Sequence, residues 1–209
     1  MDTSTINRVA IPVAIILSVV LALVWPAIRL RRRAGVWPVV LPRTLPMASR
    51  LLFGTLGVVF GTFVLWAVAY TAIGPVGLSI WPAPVVVTLA GWAVFGAGLA
   101  TAVAAQAHMG RSWRIGIDRA PTDLVTSGFF RFVRNPIYTG MVAMTLGVTM
   151  AAPSVFTLGG CVTTAAAVAV QARLEERHLL GIHGRTYRAY AARVGRFLPG
   201  FGRLTSTMQ

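Results

Sequence analysis

Five long apolar runs constrain the fold of this chain more than any other feature. They span residues 9–28, 51–73, 84–105, 137–152 and 155–172. About 20 apolar residues are needed for a helix to cross the hydrocarbon core of a bilayer. The chain is only 11% charged, whereas soluble domains carry about 25% charged residues. We therefore predict an all-α polytopic membrane protein with about five transmembrane helices and a cytoplasmic C-terminal amphipathic helix.

The last two runs are shorter than the others and are separated by Pro153. A turn at 152–154 predicts a tight helical hairpin here, whether or not both helices fully cross the bilayer. The first run has another interpretation, a cleaved signal peptide, because Arg8 precedes it. It has no A-x-A-like cleavage site, and the basic block 29–33 follows at once. We predict that it is retained as a membrane anchor.

The distribution of arginine predicts the topology. All 19 basic residues are arginine, and every one except Arg8 lies in the segments 29–50, 106–134 and 173–209. The alternate connections, 74–84 and the turn at Pro153, carry none. Because basic loops stay in the cytoplasm, we expect an integral protein of a bacterial inner (plasma) membrane, with its N-terminus outside and its C-terminus inside.

The formal net charge of +14 raises the question of nucleic-acid binding. The arginines flank apolar runs, which favours the anionic headgroups of membrane lipids instead. Cys161 is the only cysteine, so an internal disulfide and a thiolate metal cluster are excluded. We expect neither a nucleic-acid partner nor a bound metal.

Polar residues concentrate at two membrane boundaries, 131–140 and 175–199. Asn135 and Pro136 are typical of a helix start. Glu175 and Glu176 follow the last apolar run and lie among arginines. They either pair with those arginines or hold a cationic or hydroxyl-bearing ligand, since ionisable groups at membrane depth are rarely without a function.

The segment after the Glu pair is predicted to be helical. Tyr187 and Tyr190 are three residues apart and share a face, which either lies on the headgroups or contributes to a site. Gly181 and Gly184 would let the chain bend before them, and His183 lies within that bend. In the third run, the small residues 96–98 indicate close helix packing or the approach of a ligand to the backbone.

The motifs RNPIY at 134–138, EE at 175–176, HGxxYxxY at 183–190 and RFLP at 196–199 together resemble the isoprenylcysteine carboxyl methyltransferase family. The resemblance covers about 109–199 and leaves the first two runs uncovered. It implies an integral membrane enzyme that uses S-adenosylmethionine. Thr122 and Asn135 stand where the family usually has histidine, so the resemblance implies the cofactor more than a prenylated cysteine substrate.

The resemblance also implies site residues. Gly96 and Gly98 are similar to the GxG that related phospholipid N-methyltransferases use with a Glu pair. The cofactor-binding set that it implies is Arg134, Asn135, Pro136, Tyr138, Glu175, Glu176, Gly96, Gly98, His183 and Tyr187.

The acceptor that we expect is a lipophilic small molecule or lipidated group ending in a carboxylate, which Arg196 and Arg193 would orient as catalytic residues. The alternatives are a phospholipid N-methyltransferase, an enzyme related to sterol reductases, and a non-catalytic lipid-binding membrane protein. The predicted organisation is one domain, 1–209, with a two-span part at 1–75 and a methyltransferase core at 84–199.

The topology is testable with reporter fusions at Gly77 and Gln209. Because the charged segments alternate with uncharged ones, the two fusions should report opposite sides of the membrane. Detection of both on the same side would contradict the five-span arrangement.

Overall fold

The computed structural model describes residues 3–35, 47–110, 113 and 124–204. The proline-containing segment 36–46 and Thr122 lie outside the described residues. The described chain is helical, with no strand in these ranges. Its main elements are α1 (Thr3–Val19), a π-helical turn (Val20–Val24), α2 (Trp25–Ala34), α3 (Met47–Gly77), α4 (Val85–Met109), α5 (Pro136–Ala151) and α6 (Val155–Arg193).

Four described helical stretches are long and apolar enough to cross a membrane: Thr5–Arg32, Arg50–Gly77, Val85–Met109 and Val155–Arg193. The first combines α1, the π-helical turn and α2. The fifth apolar helix, α5, is shorter, with 16 residues. The all-α polytopic fold predicted from the sequence is therefore confirmed.

The turn between α5 and α6 is fixed by a reciprocal cap. Thr157 N donates to Ser154 Oγ over 3.1 Å, and Ser154 N donates to Thr157 Oγ1 over 3.0 Å. These bonds satisfy backbone donors that a helix start otherwise leaves unpaired. The hairpin predicted around Pro153 is present.

Helices α4 and α5 pack at backbone contact distance through two pairs of glycines. A Cβ on Gly98 would lie 2.7 Å from the carbonyl oxygen of Gly140, and a Cβ on Gly91 would lie 2.7 Å from that of Gly147. No side chain larger than hydrogen fits at these positions without moving a backbone. Close packing by small residues is how helices associate in lipid, where apolar contact alone gives no preference for a neighbouring helix.

Polar contacts hold α1 against the hairpin end of the bundle. Asn7 is buried; its Nδ2 donates to Ala151 O over 2.8 Å, and its Oδ1 accepts from Trp92 Nε1 over 3.1 Å. Further along, Gln106 Nε2 donates to Ala22 O in the π-helical turn over 2.9 Å. The first membrane-length stretch, which carries no family resemblance, is thereby attached to α4 at Asn7 and at Ala22.

Helix α6 continues past the membrane-length apolar run and bends at Gly184, where φ is 49° and ψ is −121°. Glycine adopts this positive φ without the steric cost that a side chain imposes. Beyond the bend, the predicted shared face is present: Tyr187, Tyr190, Ala191 and Val194 form a buried cluster with Leu124, Leu179, Leu180 and Leu204 around it. This face packs against the protein, so the alternative in which it lies on the headgroups is wrong.

Substitution Gly98→Ala should destabilise the bundle, because its methyl group would overlap the backbone of Gly140. Overpacking of this kind costs about 1–3 kcal/mol. Gly96→Ala is the matched control, since nothing lies within 4 Å of a Cβ at that exposed position. Thermal unfolding in detergent should show a lower Tm for Gly98→Ala alone. Equal Tm values for the two variants would contradict the packing described here.

Candidate functional site

Arg134 is 5% exposed and uses every hydrogen-bond donor of its side chain. Its Nε and Nη2 donate to Glu176 Oε1 over 3.1 and 2.8 Å. Its Nη1 donates to the carbonyl oxygens of Ala191 (3.0 Å) and Val194, and its Nη2 also donates to that of Gly202 over 3.0 Å. Since a guanidinium has five N–H donors, Arg134 is fully occupied in holding the protein together.

Glu176 is held by two arginines. Besides Arg134, Arg196 contacts it with Nε (3.0 Å to Oε1 and 3.1 Å to Oε2) and with Nη2 (2.8 Å to Oε2). The hydrogen bonds with Glu176 raise the pKa of Arg196 above its ordinary value. A buried carboxylate needs such pairing, because leaving an ion unpaired in a low-dielectric interior is costly. Glu176 is therefore the centre of a charge cluster of one carboxylate and two guanidinium cations.

Backbone hydrogen bonds bring the two polar boundaries of the sequence together. Arg134 N donates to Gly195 O over 2.8 Å, and Asn135 N donates to Arg196 O over 3.1 Å. Thr139 Oγ1 adds a bond to Phe197 O over 2.9 Å. The start of α5 is thus attached to the segment that follows α6, and RNPIY lies beside RFLP.

Glu175 has a different environment from its neighbour. Its Oε1 accepts from Tyr138 Oη over 2.5 Å and from Gln171 Nε2 over 3.0 Å. His178, three residues further along α6, is an electrostatic neighbour of the same carboxylate. Tyr138 and Glu175 are 37 residues apart in sequence, and their contact joins α5 to α6.

A cavity of about 600 Å³ adjoins these residues. Such a volume lies within the usual range for small-molecule sites, about 300–1,000 Å³. One part of the lining is polar and includes Arg134, Asn135, Tyr138, Glu175, Glu176, His178, Tyr187 and Tyr190. The remainder is largely apolar and comes from five helices, for example Ile15, Val19, Phe60, Phe63, Met141, Met144 and Val148. The cavity can therefore take a ligand, or two ligands, with both polar and apolar parts.

Most of the predicted cofactor-binding residues meet at this polar part. Asn135 is at the N-cap position of α5, but its side chain accepts no bond from the helix, and its Nδ2 donates to Arg196 O over 3.2 Å. Pro136 occupies the first turn, as predicted. Tyr187 is fully buried, and its ring packs edge-on against Tyr190 with the centroids 5.9 Å apart. Tyr190 Oη in turn donates to Phe130 O over 2.6 Å.

Four other predicted residues lie elsewhere. Gly98 is in the contact between α4 and α5, Gly96 is exposed, and neither lines the cavity. His183 is half-buried and is also outside the lining. Arg193 is exposed and donates to Ala189 O on its own helix over 3.3 Å. Their roles in the site stay predictions that no contact of the described chain supports.

Sequence reasoning missed Gln171, which is completely buried and bonded to Glu175. Its position four residues before Glu175 on one helix face was the available signal. No group of three or more metal-binding side chains is found in the part of the chain that the structure describes.

The fold and cavity define a class of protein: a helical membrane protein with a cavity that has a polar part and an apolar part. Residues 86–186 match the family model PEMT, phospholipid methyltransferase. The match covers just under half of the chain and includes Arg134, Tyr138, Glu175 and Glu176. It supports a membrane methyltransferase that acts on lipid-like substrates. Comparison with curated proteins and with solved structures finds no significant match.

Removing one member of the buried charge cluster should strongly destabilise the protein. Arg134→Met leaves Glu176 paired with Arg196 alone. It also removes the Arg134 hydrogen bonds to three carbonyl oxygens. Breaking a buried pair in this way costs about 3–5 kcal/mol. Arg193→Ala, which removes an exposed arginine, should unfold near the wild-type temperature. A wild-type Tm for Arg134→Met would show that the cluster does not hold the fold.

Proposed function

We propose that this protein is an S-adenosylmethionine-dependent methyltransferase that methylates a lipid-like acceptor in the membrane. The observation that carries the proposal is the cavity, whose polar part contains Tyr138 and Glu175 and whose remainder is apolar. The family match to residues 86–186 supports the reaction type. Transfer of a methyl group is an in-line displacement, for which the protein mainly has to align donor and acceptor.

The polar part of the cavity fits the cofactor. S-adenosylmethionine, when bound, supplies an electrophilic methyl group on a positively charged sulfur, and its ribose carries two hydroxyl groups. Tyr138 and Gln171 both bond to Oε1 of Glu175, so its Oε2 can accept a ribose hydroxyl or face the cationic sulfur. Glu176 is already saturated by Arg134 and Arg196. We therefore assign cofactor contact to Glu175, with Tyr138, Asn135 and Tyr187 nearby, and a supporting role to Glu176.

The apolar part of the cavity fits the acceptor. Much of its wall comes from α1 and α3, which lie outside the family match and supply Ile15, Val19, Phe60 and Phe63. Burial of hydrocarbon against such side chains is favourable by about 25 cal/mol per Å². We propose that a lipid chain lies here and that its head reaches the polar part.

For the head of the acceptor, the charges favour an amine over the carboxylate expected from the sequence. Arg134 has no donor left, and Arg193 is exposed. Glu175 instead provides negative charge, which stabilises the ammonium that forms when a neutral amine nitrogen takes the methyl group and the sulfonium becomes a neutral thioether. The phospholipid description of the matching family agrees with this reading.

The carboxylate acceptor is the second candidate, and one observation favours it. Arg196 donates to Glu176 with Nε and Nη2 only, and its side chain is 21% exposed. No described residue accepts from its Nη1, which could bind an anion. Against this, Arg196 is not among the residues that line the cavity.

Purified protein, labelled S-adenosylmethionine and a membrane lipid extract should give a labelled lipid. Glu175→Gln should weaken cofactor binding by about 10- to 100-fold, because hydrogen bonds to charged groups contribute about 1.5–3 kcal/mol. Thr101→Val is a suitable control, because Thr101 bonds only to its own helix and does not line the cavity.

The chemistry of the labelled product separates the two acceptors. A methyl ester releases labelled methanol in mild base, whereas an N-methyl group survives. A base-labile product, together with a sharp loss of turnover in Arg196→Ala, would overturn the amine assignment. Absence of any labelled lipid product would refute the proposed function.

A further inference from the structure

Gln171 occupies an unusual place for an amide. It is 0% exposed and lies in α6, one helical turn before Glu175. Its Nε2 donates to Glu175 Oε1 over 3.0 Å. It does not line the cavity, so any effect on a ligand must pass through its neighbours that do, Glu175 and Tyr138.

The other end of the amide is unsatisfied. No donor among the described residues reaches the buried Oε1 of Gln171. A buried polar atom without a partner costs about 1–3 kcal/mol. An apolar side chain of similar shape would avoid this cost, so the amide works against stability. Local conflicts of this kind are expected where function requires them.

The direction of the amide is determined by its neighbour. A carboxylate oxygen can only accept, so the NH₂ group of Gln171 must face Glu175 and its oxygen must face away. Tyr138 Oη donates to the same carboxylate oxygen, Oε1, over 2.5 Å. Two donors from two helices converge on one oxygen of Glu175, and neither of them bonds to the other oxygen, Oε2.

We propose that Gln171 is a positioning residue for the cofactor. Together with Tyr138 it fixes the rotation of the Glu175 carboxylate, so that Oε2 is presented to S-adenosylmethionine. A single donor would hold Oε1 but leave the carboxylate plane free to turn. The inference rests on the proposed function, because it takes Glu175 as the carboxylate that contacts the cofactor.

Calorimetry with S-adenosylmethionine and thermal unfolding of the ligand-free protein test the role together. Gln171→Met keeps the approximate shape of the side chain and removes both polar atoms. We expect its Kd to rise about 3- to 10-fold, which is the worth of one ordinary hydrogen bond, while its Tm stays equal or rises. A purely structural role predicts the reverse, a lower Tm with an unchanged Kd, and that result would overturn the proposal.

A double-mutant cycle identifies the route of the effect. In the Glu175→Gln background, which has no carboxylate to orient, Gln171→Met should weaken binding no further. Fully additive losses would show that Gln171 does not act through Glu175. If Gln171→Met does not fold, Gln171→Leu carries the same test, because it also removes the amide donor to Glu175, and its Kd should likewise rise about 3- to 10-fold.

The wild type separates this inference from the proposed function. If the wild type does not bind S-adenosylmethionine, the proposed function fails and the role of Gln171 fails with it. If the wild type binds and Gln171→Met binds equally well, only the positioning role is wrong. Thr101→Val should match the wild type in both measurements.

Discussion

The burial of one carboxylate, Glu176, is the constraint on which the rest of the site depends. A charge in an apolar interior must be neutralised and hydrogen-bonded. Glu176 meets this requirement with guanidinium groups from two other segments, Arg134 just before α5 and Arg196 after α6. Arg134 then binds three carbonyl oxygens around the C-terminal end of α6. A single acid thus joins segments that are 20 and 42 residues away from it.

The two adjacent acids illustrate how helix geometry divides work between neighbours. Successive residues on a helix point about 100° apart, so Glu176 faces Arg134 and Arg196 while Glu175 faces Tyr138, although both line the cavity. One carboxylate is saturated by cations and the other is held by neutral donors. Identical side chains at adjacent positions therefore have different hydrogen-bond partners.

The sequence predicts the features of this protein that depend on local or periodic patterns. The apolar runs indicate the helices, Asn135 and Pro136 indicate the start of α5, and the tyrosine spacing indicates the buried face after Gly184. The family motifs also indicate that the segments around 134 and 176 belong to one site. These patterns are local, or they are tied to a known arrangement of motifs.

The contacts that a side chain makes with other helices are harder to predict, because spacing shows which residues share a face but not what lies opposite them. Arg196 binds Glu176 within the protein, although its type and position favoured a substrate contact. The residues around Gly98 indicated either close helix packing or the approach of a ligand, and in the structure Gly98 contacts a glycine 42 positions further along the chain. Gln171 belongs to no motif, and its burial and its hydrogen bond with Glu175 are visible only in the structure.

The glycine contacts between α4 and α5 have a consequence for the alignment of the two helices. Gly91 pairs with Gly147 and Gly98 with Gly140, so both helices carry glycines seven residues apart. These two equal spacings determine how one helix is positioned along the other. Both pairs coincide only at the observed offset of the two antiparallel helices, and sliding one helix by seven residues would leave one of the two pairs in register. The glycine pairs therefore fix the position of α5 along α4, and with it the position of Tyr138 along the bundle. A shift of α5 by one helical turn would displace Tyr138 by about 5.4 Å.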